Sequence, residues 1–179
     1  MRQALNVVVG AAAIVIAVVL VWTYFVAPGG FRAGGGPSTL SGAPAVSYPA
    51  TRLDGSLDAL DRYRGKVVVL NLWATWCGPC RSETPALERL YEEERSHGLV
   101  VLGIDQGESV KAAAAFAREM HLTYPILVDE QQRYGGAYAA VGLPTTVVVD
   151  RRGRIVVGHD GEWTLADFRA AVAPALRAQ

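Results

Sequence analysis

The 179-residue chain has only two cysteines, Cys77 and Cys80, three positions apart. A pair so close cannot close a long loop, so stapling the fold is not its task. With no third cysteine, and with His97, His121 and His159 on separate stretches without metal spacing, a four-ligand zinc site is excluded. Covalent haem attachment needs His after the second cysteine, and Arg81 stands there. Acidic residues are missing before position 46; all seventeen lie beyond it, with fifteen of the seventeen basic ones. The C-terminal part is therefore near −2 in formal charge, and no basic patch points to nucleic acid. There is no internal repeat.

Charge is also absent from Leu5 to Val26, which is almost wholly apolar. At about 1.5 Å per residue such a helix crosses the roughly 30 Å hydrocarbon core of a bilayer. Trp22 and Tyr24 sit at its far end, where amphipathic rings suit the headgroup layer. Residues 1–27 are thus expected to form one transmembrane anchor. The alternative is a cleaved signal sequence, but the apolar run is long for one, and a cut after Ala27 would put bulky Phe25 three positions upstream. In both cases the rest of the chain is exported, which predicts a single-pass protein of the cell membrane with its domain outside the cytoplasm. Residues 28–46 hold Gly29-Gly30, Gly34-Gly35-Gly36-Pro37, Gly42 and Pro44 with few large apolar side chains, the composition of a flexible tether. Residues 47–179 suffice for one domain with one core.

Within that domain, Leu57 to Tyr63 reads as a short helical piece. Val67 to Trp73 is a continuous apolar run of the kind found in a central strand covered on both faces. A helix follows from about Pro79 to His97, kinked at Pro85 and stopped by Gly98. Leu99 to Asp105 is a second strand, and Ser109 caps a helix to about His121. Tyr124 to Asp129 reads as a strand and Gln131 to Val141 as a short helix. Thr145 to Val149 and Ile155 to Gly158 are strands joined by a Gly153 hairpin, and Thr164 caps a last helix to Ala178. Alternating strands and helices predict an α/β fold with a largely parallel sheet, to which the hairpin adds antiparallel strands.

Cys77-Gly78-Pro79-Cys80 lies where a buried strand gives way to a helix. Pro79 fits the first helical turn, where its missing N–H is no loss. Unpaired N–H groups at that end favour a thiolate and can bring Cys77 from about 8.5 toward about 7. Cys77 is the expected attacking sulfur, reachable from solvent, and the more buried Cys80 resolves the mixed disulfide. Trp76 is expected beside Cys77, shaping a docking surface. Trp73 and Trp163 read as packing. Glu83, three after Cys80, is either a first-turn acid that complements the helix dipole or a proton-handling group.

Trp73-Ala74-Thr75-Trp76-Cys77-Gly78-Pro79-Cys80 resembles the active-site strand and loop of the thioredoxin superfamily. Arg81-Ser82-Glu83-Thr84-Pro85, Gly103-Ile104-Asp105 with Gly107-Glu108-Ser109, and Gly142-Leu143-Pro144-Thr145 through Asp150 are similar to its TlpA/ResA-like branch of membrane-tethered thiol:disulfide oxidoreductases. The resemblance implies a thioredoxin-like fold, a central mixed sheet flanked by helices with an extra central α/β insertion. It makes Pro144 a cis-proline facing the Cys pair, lets Leu143 offer backbone groups to a bound peptide, and gives Glu83 the proton-shuttling role. Two residues depart from relatives. Asn71 stands where thioredoxin has a buried Asp, which leaves Glu83 as the proton carrier. Thr145 stands where cytochrome-maturation members often carry Glu.

The resemblance and the Gly-Pro spacer imply an enzyme that reduces disulfides of partner proteins, as in cytochrome c or oxidase maturation. It would need no cofactor beyond the Cys77–Cys80 pair, would work as a monomer, and would draw on a membrane thiol reductase for electrons. Two alternatives remain: a thiol peroxidase, although the Pro-x-x-x-Thr-x-x-Cys loop is missing, and a metal chaperone that uses the dithiol as ligand.

Overall fold

The computed structural model describes residues 37–178. The expected anchor and the first part of the expected tether lie outside the described residues. Among the described residues, no helix is long and apolar enough to cross a membrane.

The elements are β1 (Ala50–Arg52), β2 (Leu57–Asp58), β3 (Val67–Trp73), α1 (Gly78–Glu94), β4 (Leu99–Gln106), α2 (Val110–Glu119), β5 (Ile126–Asp129), α3 (Arg133–Ala137), β6 (Thr145–Val149), β7 (Ile155–Asp160) and α4 (Leu165–Arg177). One seven-stranded mixed sheet runs in the order β2-β1-β5-β4-β3-β6-β7. β3 is central, parallel to β4 and antiparallel to β6. Every residue of β3 is buried, and alternation divides them between two cores. Val67, Val69 and Trp73 join Leu87 and Leu90 of α1, Phe116 of α2 and Phe168 of α4 on one face. Val68, Leu70 and Leu72 join Leu60, Tyr134 and Tyr138 on the other. Each fully buried Leu or Val contributes roughly 1.5–3 kcal/mol, so the strand that leads into Cys77 is among the firmest parts of the molecule.

Caps appear where the sequence puts them. Ser109 Oγ accepts the Ala112 N–H, and Thr164 and Asp167 form a capping box. Gly153 turns the β6–β7 hairpin at φ 77°. Helix α1 runs unbroken through Pro85.

Three expectations need correction. Leu57 to Tyr63 is not one helical piece: Leu57–Asp58 pairs with β1, and only Leu60–Tyr63 makes a 3-10 turn. The helix expected over Gln131–Val141 is trimmed to Arg133–Ala137, because Gln132 and Ala139 take positive φ and Gly135-Gly136 weakens its middle. The tether is not free along its whole length. From Pro37 onward it docks on β7: the Gly42 N–H donates to Ile155 O at 2.7 Å, and the Ile155 N–H to Ala43 O at 2.9 Å. Leu40, Ala43 and Ala45 pack against the second core. Backbone pairing with an edge strand supplies the order that this Gly/Pro-rich composition does not.

Candidate active site

The Cys turn forms where β3 ends and α1 begins. The Cys77 N–H donates to Ala74 O at 3.1 Å, which closes the chain on itself. Cys77 is the N-cap of α1, and its Sγ accepts the Cys80 N–H at 3.2 Å. The two sulfurs form a disulfide, with Cα atoms 5.3 Å apart. Cys80 is 1% exposed and Cys77 only 4%. Cys77 is thus the less buried residue of the two, but the expectation of one open to solvent is corrected in this disulfide state. Its bond to Cys80 and its place as N-cap draw Sγ inward. Its neighbours form the rim: Trp76 is 73% exposed, Gly78 and Pro79 are exposed, and a Cβ at Gly78 would meet nothing within 4 Å.

Trp76 stands outward and lines a groove with Leu143, Val141, Gln106 and Gln132. The Leu143–Pro144 peptide bond is cis. β6 begins at Thr145 opposite Leu72, which places Pro144 beside the end of β3. The loop before it is pinned: Thr145 Oγ1 lies 2.7 Å from Gly142 O and 2.6 Å from Asp160 Oδ1, and the Gly161 N–H donates to Pro144 O. Trp73 is core, stacked on Phe116 at 4.5 Å.

Glu83 is 1% exposed and shares a helix face with Cys80. It is not the first-turn surface acid. Asn71 Nδ2 donates to its Oε1 at 2.6 Å and the Trp163 N–H to its Oε2 at 3.0 Å, while Asn71 also reaches Thr146 Oγ1 at 3.2 Å. Burial raises the Glu83 carboxyl to about 7 against the pull of those two donors, and the nearby Glu162 charge adds to the rise. It can therefore take and give a proton near neutrality.

Sequence reasoning missed two features. Trp163 serves through its backbone N–H, which leaves no trace in residue type; its ring stacks on His159 and meets Phe168 edge-on. Asp105 and Glu108 sit at the end of β4, and the Glu108 carboxylate accepts both the N–H (2.6 Å) and the hydroxyl (2.7 Å) of Thr75. Gly107-Glu108-Ser109 was visible as a motif, but nothing in it pointed to Thr75. Among the described residues, no group of His, Cys, Asp or Glu converges to hold a metal.

The pattern of the AhpC/TSA family matches residues 41–157. The chain belongs to the AhpC/TSA family. One relative in sequence is the thiol-disulfide oxidoreductase ResA of Geobacillus kaustophilus, 38% identical over 127 residues, which cover 71% of this chain and 73% of that protein. Among solved structures, a secreted thiol-disulfide isomerase from Corynebacterium glutamicum superposes with a TM-score of 0.69 at 29% identity, over 75% of this chain and 86% of that one. A thiol:disulfide interchange protein of the thioredoxin family from Chlorobium tepidum gives 0.67 at 28%, over 74% and 95%. This AhpC/TSA-family chain has the thioredoxin-like α/β fold and is a thiol-disulfide oxidoreductase of the ResA type.

Proposed function

We propose that the chain reduces disulfides of partner proteins outside the cytoplasm, held to the membrane by Leu5–Val26 and supplied with electrons by a membrane thiol reductase. The observation that carries the reading is a Cys77–Cys80 disulfide capping a helix N-terminus, with a protonatable, fully hydrogen-bonded Glu83 on the same helix face. In the reduced protein the Cys77 thiolate attacks one sulfur of a partner disulfide. A bond forms between Cys77 and that sulfur, and the partner's other sulfur leaves with the electron pair and takes a proton. Cys80 then gives its proton to Glu83 and attacks Cys77 Sγ. The second partner thiolate leaves, and the Cys77–Cys80 bond closes. Two electrons have passed to the partner, and the membrane dithiol restores them. Disulfides accumulate outside the cytoplasm, so a reductant there has work to do. Candidate partners are proteins of cytochrome c or oxidase maturation. Trp76, Gly78 and Pro79 on the rim, with the Leu143 backbone and Pro144, form the surface that a partner meets.

A Cys80→Ser variant tests the scheme, because it should leave partners covalently held on Cys77. If it captures none while the wild type turns over, the two-step exchange is wrong. The reduction potential tests direction: a value near those of strong protein oxidants, about −120 mV, would reverse it. Peroxide consumption at enzymatic rates would favour the peroxidase, and copper or zinc retained without disulfide exchange the chaperone.

A further inference from the structure

The proposed chemistry leaves one acidic pair unused, buried Asp105 and half-buried Glu108, and that pair is tied to the turn that carries Cys77. β4 ends at Gln106, and Gly107 follows at φ 87°, a conformation suited to glycine. A Cβ there would come within 2.4 Å of the Gln132 side chain. The turn brings Glu108 back so that its N–H donates to Asp105 Oδ1 at 3.0 Å. From this position the Glu108 carboxylate grips Thr75 by both its N–H and its hydroxyl, at 2.6 and 2.7 Å. Thr75 lies inside the Ala74–Cys77 turn, between the carbonyl and the N–H that close it. Because β4 pairs with β3 as far as Trp73–Asp105, the grip is anchored to the strand that ends in this turn.

We propose that Glu108 is a positioning residue for the nucleophile, fixing the Thr75–Cys77 turn from below, and that Asp105 sets whether that grip holds. The inference rests on the thiol-exchange reading.

Asp105 is 0% exposed, and its Oδ2 is buried without a hydrogen bond. Burial first, and then the adjoining Glu108 carboxyl, push it up to about 8. Burial also raises Glu108, but its bonds to Thr75 and the neighbouring Asp105 outweigh that, and it stays below its ordinary value. Near neutrality the pair therefore carries one proton and one charge. Around it, β3 and β5 present uncharged Trp73 and Val128 at the paired positions. On α2, Lys111 is exposed to solvent. On α1, Arg81 is turned to Glu119 and to the Phe116 ring, and Glu83 to Asn71 and Trp163. When Asp105 loses its proton, two carboxylates face each other, and the grip on Thr75 loosens.

The test uses the full-length chain, reduced, with oxidised glutathione as the disulfide and iodoacetamide as a second probe of Cys77, from pH 6 to 9.5. Rates are normalised to the measured thiolate fraction. Glu108→Ala should slow both reactions about tenfold. Glu108→Gln keeps one acceptor oxygen and should fall by less. Thr75→Val removes only the hydroxyl arm and should cost about threefold; it decides the matter if Glu108→Ala does not fold. The normalised wild-type rate should decline above about pH 8, and Asp105→Asn, which cannot ionise, should abolish that decline. Rates for Glu108→Ala, or failing that Thr75→Val, within the error of wild type would overturn the positioning role, as would an alkaline decline that persists in Asp105→Asn. If the wild-type chain itself exchanges with no disulfide, the thiol-exchange reading fails instead, and the two failures are distinguishable.

Discussion

Glu83 and Asp105 are both sealed from solvent and both follow the Cys turn in the chain, yet they are held differently. Both Glu83 oxygens accept hydrogen bonds, from Asn71 and Trp163, and the carboxyl rises only to about 7. Asp105 accepts one N–H, from Glu108, stands against the Glu108 carboxyl, and rises to about 8. The contrast teaches that burial alone does not assign a role. Donors aimed at the charged form keep Glu83 close to the pH at which a proton can be exchanged. Burial first, and then the neighbouring carboxylate, raise Asp105, and no second donor offsets them.

The largest expected effect is that of Cys77→Ser, which should abolish exchange with any partner disulfide. Exchange that survives the substitution would place the nucleophile elsewhere. Next, Glu83→Gln should slow exchange at pH 7 by about 10²-fold, within the usual range for a proton-transferring group, and remove the limb near pH 7 from the rate profile. An unchanged profile would make Glu83 a structural group like any buried acid.

The third expectation concerns stability of the disulfide form. Both carboxyls have folded-state values raised above their unfolded ones. The unfolded chain therefore sheds these protons first, and stability falls as pH rises toward the folded value. Between about pH 4.5 and 7 both groups contribute, each at about 1.4 kcal/mol per unit; between 7 and 8 only Asp105 does. Urea unfolding across this range should show a slope that roughly halves near pH 7. The Glu83 share is about 3 kcal/mol, and Glu83→Gln should give the shallower slope from the start. A slope unaffected by that substitution would place the protons elsewhere. The smallest effect should come from Thr164→Ala, which removes a capping box at a cost of about 1 kcal/mol. Trp163, the residue just before that cap, supplies the N–H to Glu83, so the rate limb near pH 7 should also move. A loss of stability without that movement would separate the cap from the site.

Much of this was legible in the chain. The run Val67–Trp73 announces a strand buried on both sides, because no polar residue but Asn71 interrupts it. Ser109, Thr164 and Gly153 mark ends and turns by local chemistry that needs no distant partner. The Cys pair and Glu83 could be chosen from spacing and resemblance. What was not legible depends on pairing across the fold. Thr75 and Glu108 are 33 positions apart, Trp163 and Glu83 are 80, and the Trp163 donor is a backbone group that any residue but proline offers. The low exposure of Cys77 is a property of the folded turn, which residue order does not display. Pro37–Ala45 reads as loose by composition because its partner, the start of β7, lies over 100 positions away.

That docked stretch has a consequence for solubility at high concentration. An outermost strand with bare amides and carbonyls invites another copy to add itself to the sheet. Here the chain's own Gly42–Ala45 occupies the first rungs of β7, with Pro44 opposite Arg154 and Arg154 reaching Gly42 O. A proline cannot donate to an incoming ladder, and the arginine adds charge at the border. The segment thus acts as a built-in selvedge over the start of this edge, taking the rungs at Gly153–Ile155 that a second copy would otherwise find open.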